Sequence, residues 1–235
     1  LSEPPTALTL AIDTATPDTV VGLSRRGEPA SERRVGPGPD DRPRHGPALL
    51  AAVHEAVLAA GGWERVDRLA VGVGPGSFTG IRIGVSTARA LAQALALPLA
   101  GVETTAALAA GIPASDDRAR LAVIDARRDE VFVAILRPGE SAAEAPLVVR
   151  PGSLTSAIPG VAGSLAAGDG AVRFRRELEA VEVEVLPDEH PAHRLSARYV
   201  CATSEAIEAG APEDVRPLYL RRPDAERWRE RDGRD

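Results

Sequence analysis

Apolar residues fall in two rhythms along the first hundred positions. Thr9–Thr14 (TLAIDT) and Thr19–Ser24 (TVVGLS) are short β-branched runs separated by Ala15, Thr16, Pro17 and Asp18, and they predict a hairpin. Ala30–Val35 predicts a third strand after a turn at 25–28. Gly36–Pro47, rich in Gly, Pro, Asp and Arg, predicts an exposed loop. Leu49, Leu50, Val53, Val57 and Ala60 then recur at helical spacing, and Gly61 and Gly62 stop the helix predicted over 48–60. A buried strand at 68–73 leads into a glycine-rich loop and a helix from about 79 to 95. A strand at 99–102 and a short helix at 103–110 follow.

Three strands, helix, strand, helix, strand, helix is the order of a ribonuclease-H-like lobe, the building block of the actin-like ATPase fold. The second half repeats the beginning. A shift of 112 positions carries Ile12-Asp13 onto Ile124-Asp125, Val21 onto Val133, Leu23 onto Ile135 and Gly27-Glu28 onto Gly139-Glu140. Ser164–Gly170 (SLAAGDG) is a weaker echo of Leu69–Gly76 (LAVGVGPG). The expected fold is therefore α/β, a two-lobed actin-like ATPase architecture made from a duplicated ribonuclease-H-like lobe. Residues 1–102 would form the first lobe and 103–193 a second, smaller one. A C-terminal helix (195–210) and segment, 194–220 together, would pack back on both lobes. Pro223–Asp235, with balanced charges around Trp228, predicts a mobile tail from 221 onward.

Composition narrows the chemistry. All 28 basic residues are Arg, so no lysine is present for a phosphate loop, a Schiff base or a Ser–Lys pair. A net charge of −6 without a basic block argues against gripping RNA alone. The single cysteine, Cys201, lies in an Ala-rich helical pattern and reads as a small buried hydrophobe. No apolar run approaches the ~20 residues of a membrane span. Leu1–Thr9 shows no basic region followed by an apolar block, so a cytoplasmic location is expected.

The loop Gly74-Pro75-Gly76-Ser77-Phe78-Thr79-Gly80 joins a strand to a helix, which gathers free amides and the positive end of a helix dipole. Its spacing matches neither the Walker pattern nor G-x-G-x-x-G. Ser77 or Thr79 could cap the helix. An anion pocket touching Gly74, Gly76, Ser77 and Thr79, and a tight turn without a ligand, both fit these residues.

The run from Val71 to Gly84 (VGVGPGSFTGIRIG) resembles the signature of the TsaB family. Ile12–Thr16 (IDTAT), Ile124–Val131 (IDARRDEV) and Pro217–Arg221 (PLYLR) agree with that family in order and spacing, so the resemblance extends from residue 12 to residue 221. Two positions depart from it: His45-Gly46-Pro47 stands where His-Ser is usual, and Asp129 where the second hairpin turn commonly has Gly. The resemblance implies an accessory subunit without activity of its own in N6-threonylcarbamoyladenosine synthesis on tRNA. It implies a catalytic partner, TsaD, an ATPase, TsaE, and tRNA reached only through their complex. No intrinsic cofactor is implied, with ATP or ADP and Mg at the partner interface as the remaining option. The interface would lie on the helix after the glycine loop, at Ile81, Arg82, Val85, Ala88, Arg89 and Ala92, and alone the chain would pair with itself through the same face.

An active actin-like ATPase follows each hairpin Asp with Gly. Here Asp13 is followed by Thr14 and Ala15, and Asp125 by Ala126, Arg127 and Arg128, so both phosphate hairpins read as degenerate. Arg127 and Arg128 would form a solvated turn, or pair with Asp129, Glu130 or a partner's carboxylate. His45 and His54 are out of phase for one helical face, and His190 and His193 flank Pro191 in a loop, so exposed histidines rather than a metal site are expected. Two rival functions stay open: a metal-dependent phosphoryl-transfer enzyme using Asp13, Asp125 and Asp169, or a homodimeric binding module.

Overall fold

The computed structural model describes residues 7–25 and 28–221. The expected 25–28 turn falls partly, and the expected tail at 222–235 wholly, outside them. Two five-stranded sheets form the frame. In the first, β1 (Thr9–Asp13), β2 (Thr19–Arg25), β3 (Glu28–Val35), β4 (Arg68–Gly74) and β5 (Leu99–Glu103) lie in the order β3-β2-β1-β4-β5. In the second, β6 (Arg120–Asp125), β7 (Val131–Leu136), β8 (Leu147–Val149), β9 (Leu165–Ala167) and β10 (Glu184–Val185) lie in the order β8-β7-β6-β9-β10. The orders correspond strand for strand. β1 pairs antiparallel with β2 and parallel with β4, and β6 pairs antiparallel with β7 and parallel with β9. The 112-residue echo in the sequence is thus a duplicated topology. The chain has a two-lobed, actin-like α/β fold.

Helices cover both faces of each sheet, which is why the central strands read as nearly unbroken apolar runs. On β1, Leu10 and Ile12 point to the outer layer, α1 (His45–Ala59) and α2 (Phe78–Leu95), while Ala11 points inward. The inner layer, α3 (Thr104–Ala110) and α7 (Ala197–Ser204), is sandwiched between the sheets. Small side chains, Ala11, Ala70 and Ala122, dominate where the strands meet it, and they let helices approach closely. Leu121, Val123 and Ile135 face the far layer with α4 (Leu154–Ala157), α5 (Asp169–Arg173) and α6 (Arg175–Glu179). Among the described residues no helix is long and apolar enough to cross a membrane.

Several elements differ from the sequence expectation. α1 starts at His45, inside the expected loop, because proline at its third position lacks only an amide that the first turn leaves unpaired anyway. α7 is 8 residues, not the 16 expected over 195–210. Its periodicity ends at Ser204, and Gly210 instead bridges to Leu99 at the edge of the first sheet. α5, α6 and β8 are too short to register as periodicity at all.

Candidate functional site

The glycine loop sits where β4 runs into α2. Ser77 is the N-cap of α2, its hydroxyl accepting from the Gly80 amide at 3.2 Å. The Ser77 amide donates to the Ala15 carbonyl at 2.7 Å, so two of the amides that could have faced an anion are taken by the chain itself. Thr14 Oγ1 donates to the Gly80 carbonyl at 2.7 Å. The glycines serve this self-contact: a Cβ on Gly80 would lie 1.9 Å from the Thr14 carbonyl oxygen, and one on Gly76 2.3 Å from that of Ala15. Gly76 and Ser77 do line the cleft between the lobes. Gly74 is wedged against Ile81 and the Leu218 carbonyl, and Thr79 is exposed away from the cleft.

That cleft encloses about 570 Å³. Gly76, Ser77 and Phe78 form one wall, and Asp125, Arg127 and Asp169 the other. Leu218–Arg221 bridges them. Leu218 N donates to Val73 O at 2.8 Å, and the Tyr219 ring lies 4.8 Å from that of Phe78. Arg221 donates to the Ala126 carbonyl at 2.9 Å and pairs with Glu130.

The two hairpin aspartates are treated differently. Asp13 is fully buried. Its Oδ1 accepts from the Ala15 amide at 2.8 Å, and its Oδ2 from Thr104 Oγ1 at 2.7 Å. Burial raises its carboxyl from 3.8 to about 6 against the opposing hydrogen bonds. A Cβ on Gly72 would fall 1.7 Å from its Oδ2, so this glycine exists to admit the carboxylate. Asp125 sits at the cleft mouth. Its Oδ1 accepts from the Arg127 amide at 2.8 Å, and its Oδ2 meets Arg173 at 3.0 Å and Arg127 at 3.3 Å. Arg127 therefore pairs backward onto Asp125, where a solvated turn or a pair with Asp129, Glu130 or a partner's carboxylate was expected, the turn being left-handed at Arg127, Arg128 and Asp129 (φ 61°, 55° and 57°). Asp169 Oδ1 accepts from the Asp125 and Gly170 amides, and burial pushes its carboxyl up.

The three-aspartate metal reading does not hold. Asp13 is sealed from the cleft, and Asp125 is committed to two guanidinium groups. Among the described residues no group of three His, Cys, Asp or Glu side chains is arranged to hold a metal ion. The histidines also differ from the expectation of exposure. His45 is buried, its Nδ1 2.8 Å from Thr19 Oγ1, and burial holds its imidazole below the ordinary range. His193 is buried with Nε2 near the Leu186 and Pro187 carbonyls, at 3.1 and 3.0 Å. His190 is half-buried and accepts from the Ala192 amide; His54 is exposed. Cys201 is buried, its thiol pushed up to about 12 by desolvation, which makes it inert.

The expected interface residues need a correction. Ile81, Val85, Ala88 and Ala92 are the inward stripe of α2, packed on the chain's own sheet. Burying a side chain of this size stabilises the fold by about 1.5–3 kcal/mol, so the stripe goes to the core before any partner. Arg82 is exposed and lies 5.4 Å over the Phe78 ring; Arg89 is half-buried. On these two helices the large apolar side chains left outside are Leu50 and Leu58 on α1, 62% and 61% exposed, and Leu95 at the end of α2. Sequence reasoning missed Thr104 and Arg173, the partners of the two aspartates, because each arrives from an element far along the chain.

The fold and the cleft define an actin-like protein whose two hairpin aspartates are followed by Thr14-Ala15 and Ala126-Arg127, with no glycine in either turn. A family model described as TsaD, tRNA N6-adenosine threonylcarbamoyltransferase, matches residues 40–207. An uncharacterized protein of Mycobacterium tuberculosis is 36% identical over 222 residues, covering 92% of both chains. The Escherichia coli tRNA threonylcarbamoyladenosine biosynthesis protein TsaB is 38% identical over 125 residues, 52% of each chain. The structure of YeaZ from Pseudomonas aeruginosa superposes with a TM-score of 0.73 at 27% identity, over 91% of this chain and 100% of that one. The chain belongs to the TsaB/YeaZ family.

Proposed function

We propose that this protein is the non-catalytic subunit of a complex that makes N6-threonylcarbamoyladenosine on tRNA, and that it binds and activates a TsaD transferase. The observation that carries this reading is the fate of the hairpin aspartates. One is locked into the core by Thr104 and the other tied to Arg127 and Arg173, so neither is free to ligate a metal-bound nucleotide. The named relatives and the matching family model both point to this modification. TsaE supplies ATPase action in the same assembly, and tRNA is reached through the complex. A nucleotide with Mg at the partner interface would meet Ser77 and arginines on this side, so its metal ligands would come from the partner.

The docking surface in this reading is the outer face of α1 with the end of α2, marked by Leu50, Leu58 and Leu95. Without the partner, the same face pairs two copies. Reconstitution with TsaD and TsaE, scored by modified adenosine in tRNA, tests the function: modification at full rate without this chain would refute it. Leu50→Arg with Leu58→Arg should abolish co-purification with TsaD while leaving the fold intact. Val85→Arg and Ala88→Arg would test folding instead, since both sites are core.

A further inference from the structure

A second cavity of about 550 Å³ lies away from the cleft, between the C-terminal end of α3, the turn at 191–193 and the start of α7. Its volume is in the range of small-molecule sites. Leu108, Ile112 and Leu195 give it apolar walls. Its charged lining is all of one sign: Arg34, Arg120, Arg194 and Arg198, with no Asp or Glu.

Two of the four arginines are already neutralised from behind. Arg194 Nε lies 2.7 Å from Asp18 Oδ2. Arg34 Nη2 lies 2.9 Å from Glu32 Oε1 and donates to the Leu195 carbonyl at 2.7 Å. The start of α7 is satisfied too, because Glu32 Oε2 accepts from Ser196 Oγ and the Ala197 amide. Arg120 and Arg198 differ. Arg198 rests over the Tyr199 ring at 4.9 Å and meets no carboxylate among the described residues. Arg120, half-buried on the first position of β6, makes no side-chain hydrogen bond or ion pair among the described residues. Its side shares a face of β6 with Ala122 and Ile124, and desolvation there disfavours its charged form. A partly desolvated guanidinium with no counter-charge destabilises a fold, and burying it is favourable only when an anion arrives.

We propose that this pocket is a binding site for a small organic anion, a carboxylate or phosphate monoester on an apolar body, with Arg120 and Arg198 holding the charge and Leu108, Ile112 and Leu195 the body. Guanidinium groups take both oxyanions in bidentate geometry. The apolar walls favour a ligand with a hydrocarbon or aromatic part over inorganic phosphate. The site is separate from the cleft and independent of the tRNA-modification reading.

Calorimetric titration of the full chain with phenyl phosphate, 3-phenylpropionate, inorganic phosphate and the neutral 3-phenylpropanol tests it. At least one aromatic anion should bind saturably, about tenfold or more tighter than inorganic phosphate, and the alcohol should not bind. The tighter of the two aromatic anions identifies the head group. Arg120→Gln should weaken that anion about tenfold or more, the scale of a lost charged hydrogen bond. Arg198→Gln, at an exposed position, should weaken it as well, and Arg216→Gln, outside the pocket, should not. The ligand-free Arg120→Gln protein should melt no lower than the parent, since it loses an uncompensated charge. The absence of saturable anion binding would overturn the assignment. So would an affinity unchanged from the parent's in the Arg120 and Arg198 variants, or a lowered melting temperature for Arg120→Gln, which would make Arg120 a structural prop.

Discussion

The turns after β1 and β6 stand at equivalent places in the two lobes and share one hydrogen bond, but they are put to opposite uses. Each begins with an aspartate whose Oδ1 accepts from the amide two residues on, Ala15 in one and Arg127 in the other. They part at the second oxygen. In the first lobe Oδ2 meets a neutral hydroxyl in a sealed site, and in the second it meets two guanidinium groups at the edge of solvent. Duplication preserved the local hydrogen bond, and the surroundings decided the role. The first aspartate has become a core component, and the second a charge hub at the cleft mouth, half-buried beneath exposed arginines.

The largest test of this contrast is Gly72→Ala. Its methyl group would overlap the Asp13 carboxylate, and neither β4 nor β1 can yield in the middle of a sheet. A loss of about 3 kcal/mol or more, from overpacking plus broken hydrogen bonds, is expected in denaturant unfolding. A loss under about 1 kcal/mol would mean that Asp13 is not sealed.

Asp13→Asn is next in size and turns on pH. The Asp13 carboxyl is raised from 3.8 to about 6, so its stabilising contribution is complete below the unfolded value and is lost as pH rises through the folded one. The shift corresponds to about 3 kcal/mol between those limits. Asparagine imitates the protonated acid and cannot lose a proton. The stability of Asp13→Asn relative to the parent should therefore improve by about 2–3 kcal/mol between pH 4 and pH 7. Parallel pH profiles for the two proteins would remove the argument. Because Asp13 is structural here, the variant should also still support tRNA modification in the reconstituted system.

The matching change in the second lobe, Asp125→Asn, should do little. Its arginine partners are largely exposed, with side-chain exposures of 72% for Arg127 and 48% for Arg173, although the Asp125 carboxylate itself is only 8% exposed; solvent around the guanidinium groups screens the pairs, and a contribution of about 1 kcal/mol is expected. Asparagine keeps the oxygen that accepts from the Arg127 amide. An unfolding loss above about 2 kcal/mol would show that the two aspartates are more alike than their surroundings suggest.

The duplication was legible because strands buried on both faces leave dense apolar runs, and Ile-Asp recurs at one offset. The absence of glycine after Asp13 and Asp125 was legible for the same local reason. What sequence could not give was direction. The stripe Ile81, Val85, Ala88 and Ala92 was visible as a face of α2, but only the packed structure assigns it to the chain's own sheet and leaves Leu50 and Leu58 outside. Burial of His45 and His193 was equally hidden, since each depends on carbonyls or hydroxyls contributed by distant segments. Arg120 gave no sign, because its interest lies in having no side-chain partner among the described residues.

The smallest expected effect addresses the backbone of the second turn. Arg127, Arg128 and Asp129 occupy the left-handed region in succession, which costs an L-residue roughly 1–2 kcal/mol where no side-chain hydrogen bond offsets it. Asp129 is exposed and makes no side-chain hydrogen bond or ion pair among the described residues, so a glycine there would relieve that cost. The unfolded chain gains freedom at the same time, which returns roughly 0.5–1 kcal/mol. Asp129→Gly should therefore stabilise the protein by only about 0.5 kcal/mol, readable as a small rise in melting temperature with an unchanged denaturant slope. In the first lobe, φ is not positive at any of Thr14, Ala15 and Thr16, so Ala15→Gly should destabilise by about the same amount. Opposite signs at the two turns would mean that the left-handed path acts on stability in the second turn alone, with Arg127 drawn back over Asp125 as its consequence; equal signs would mean that the path carries no cost of its own.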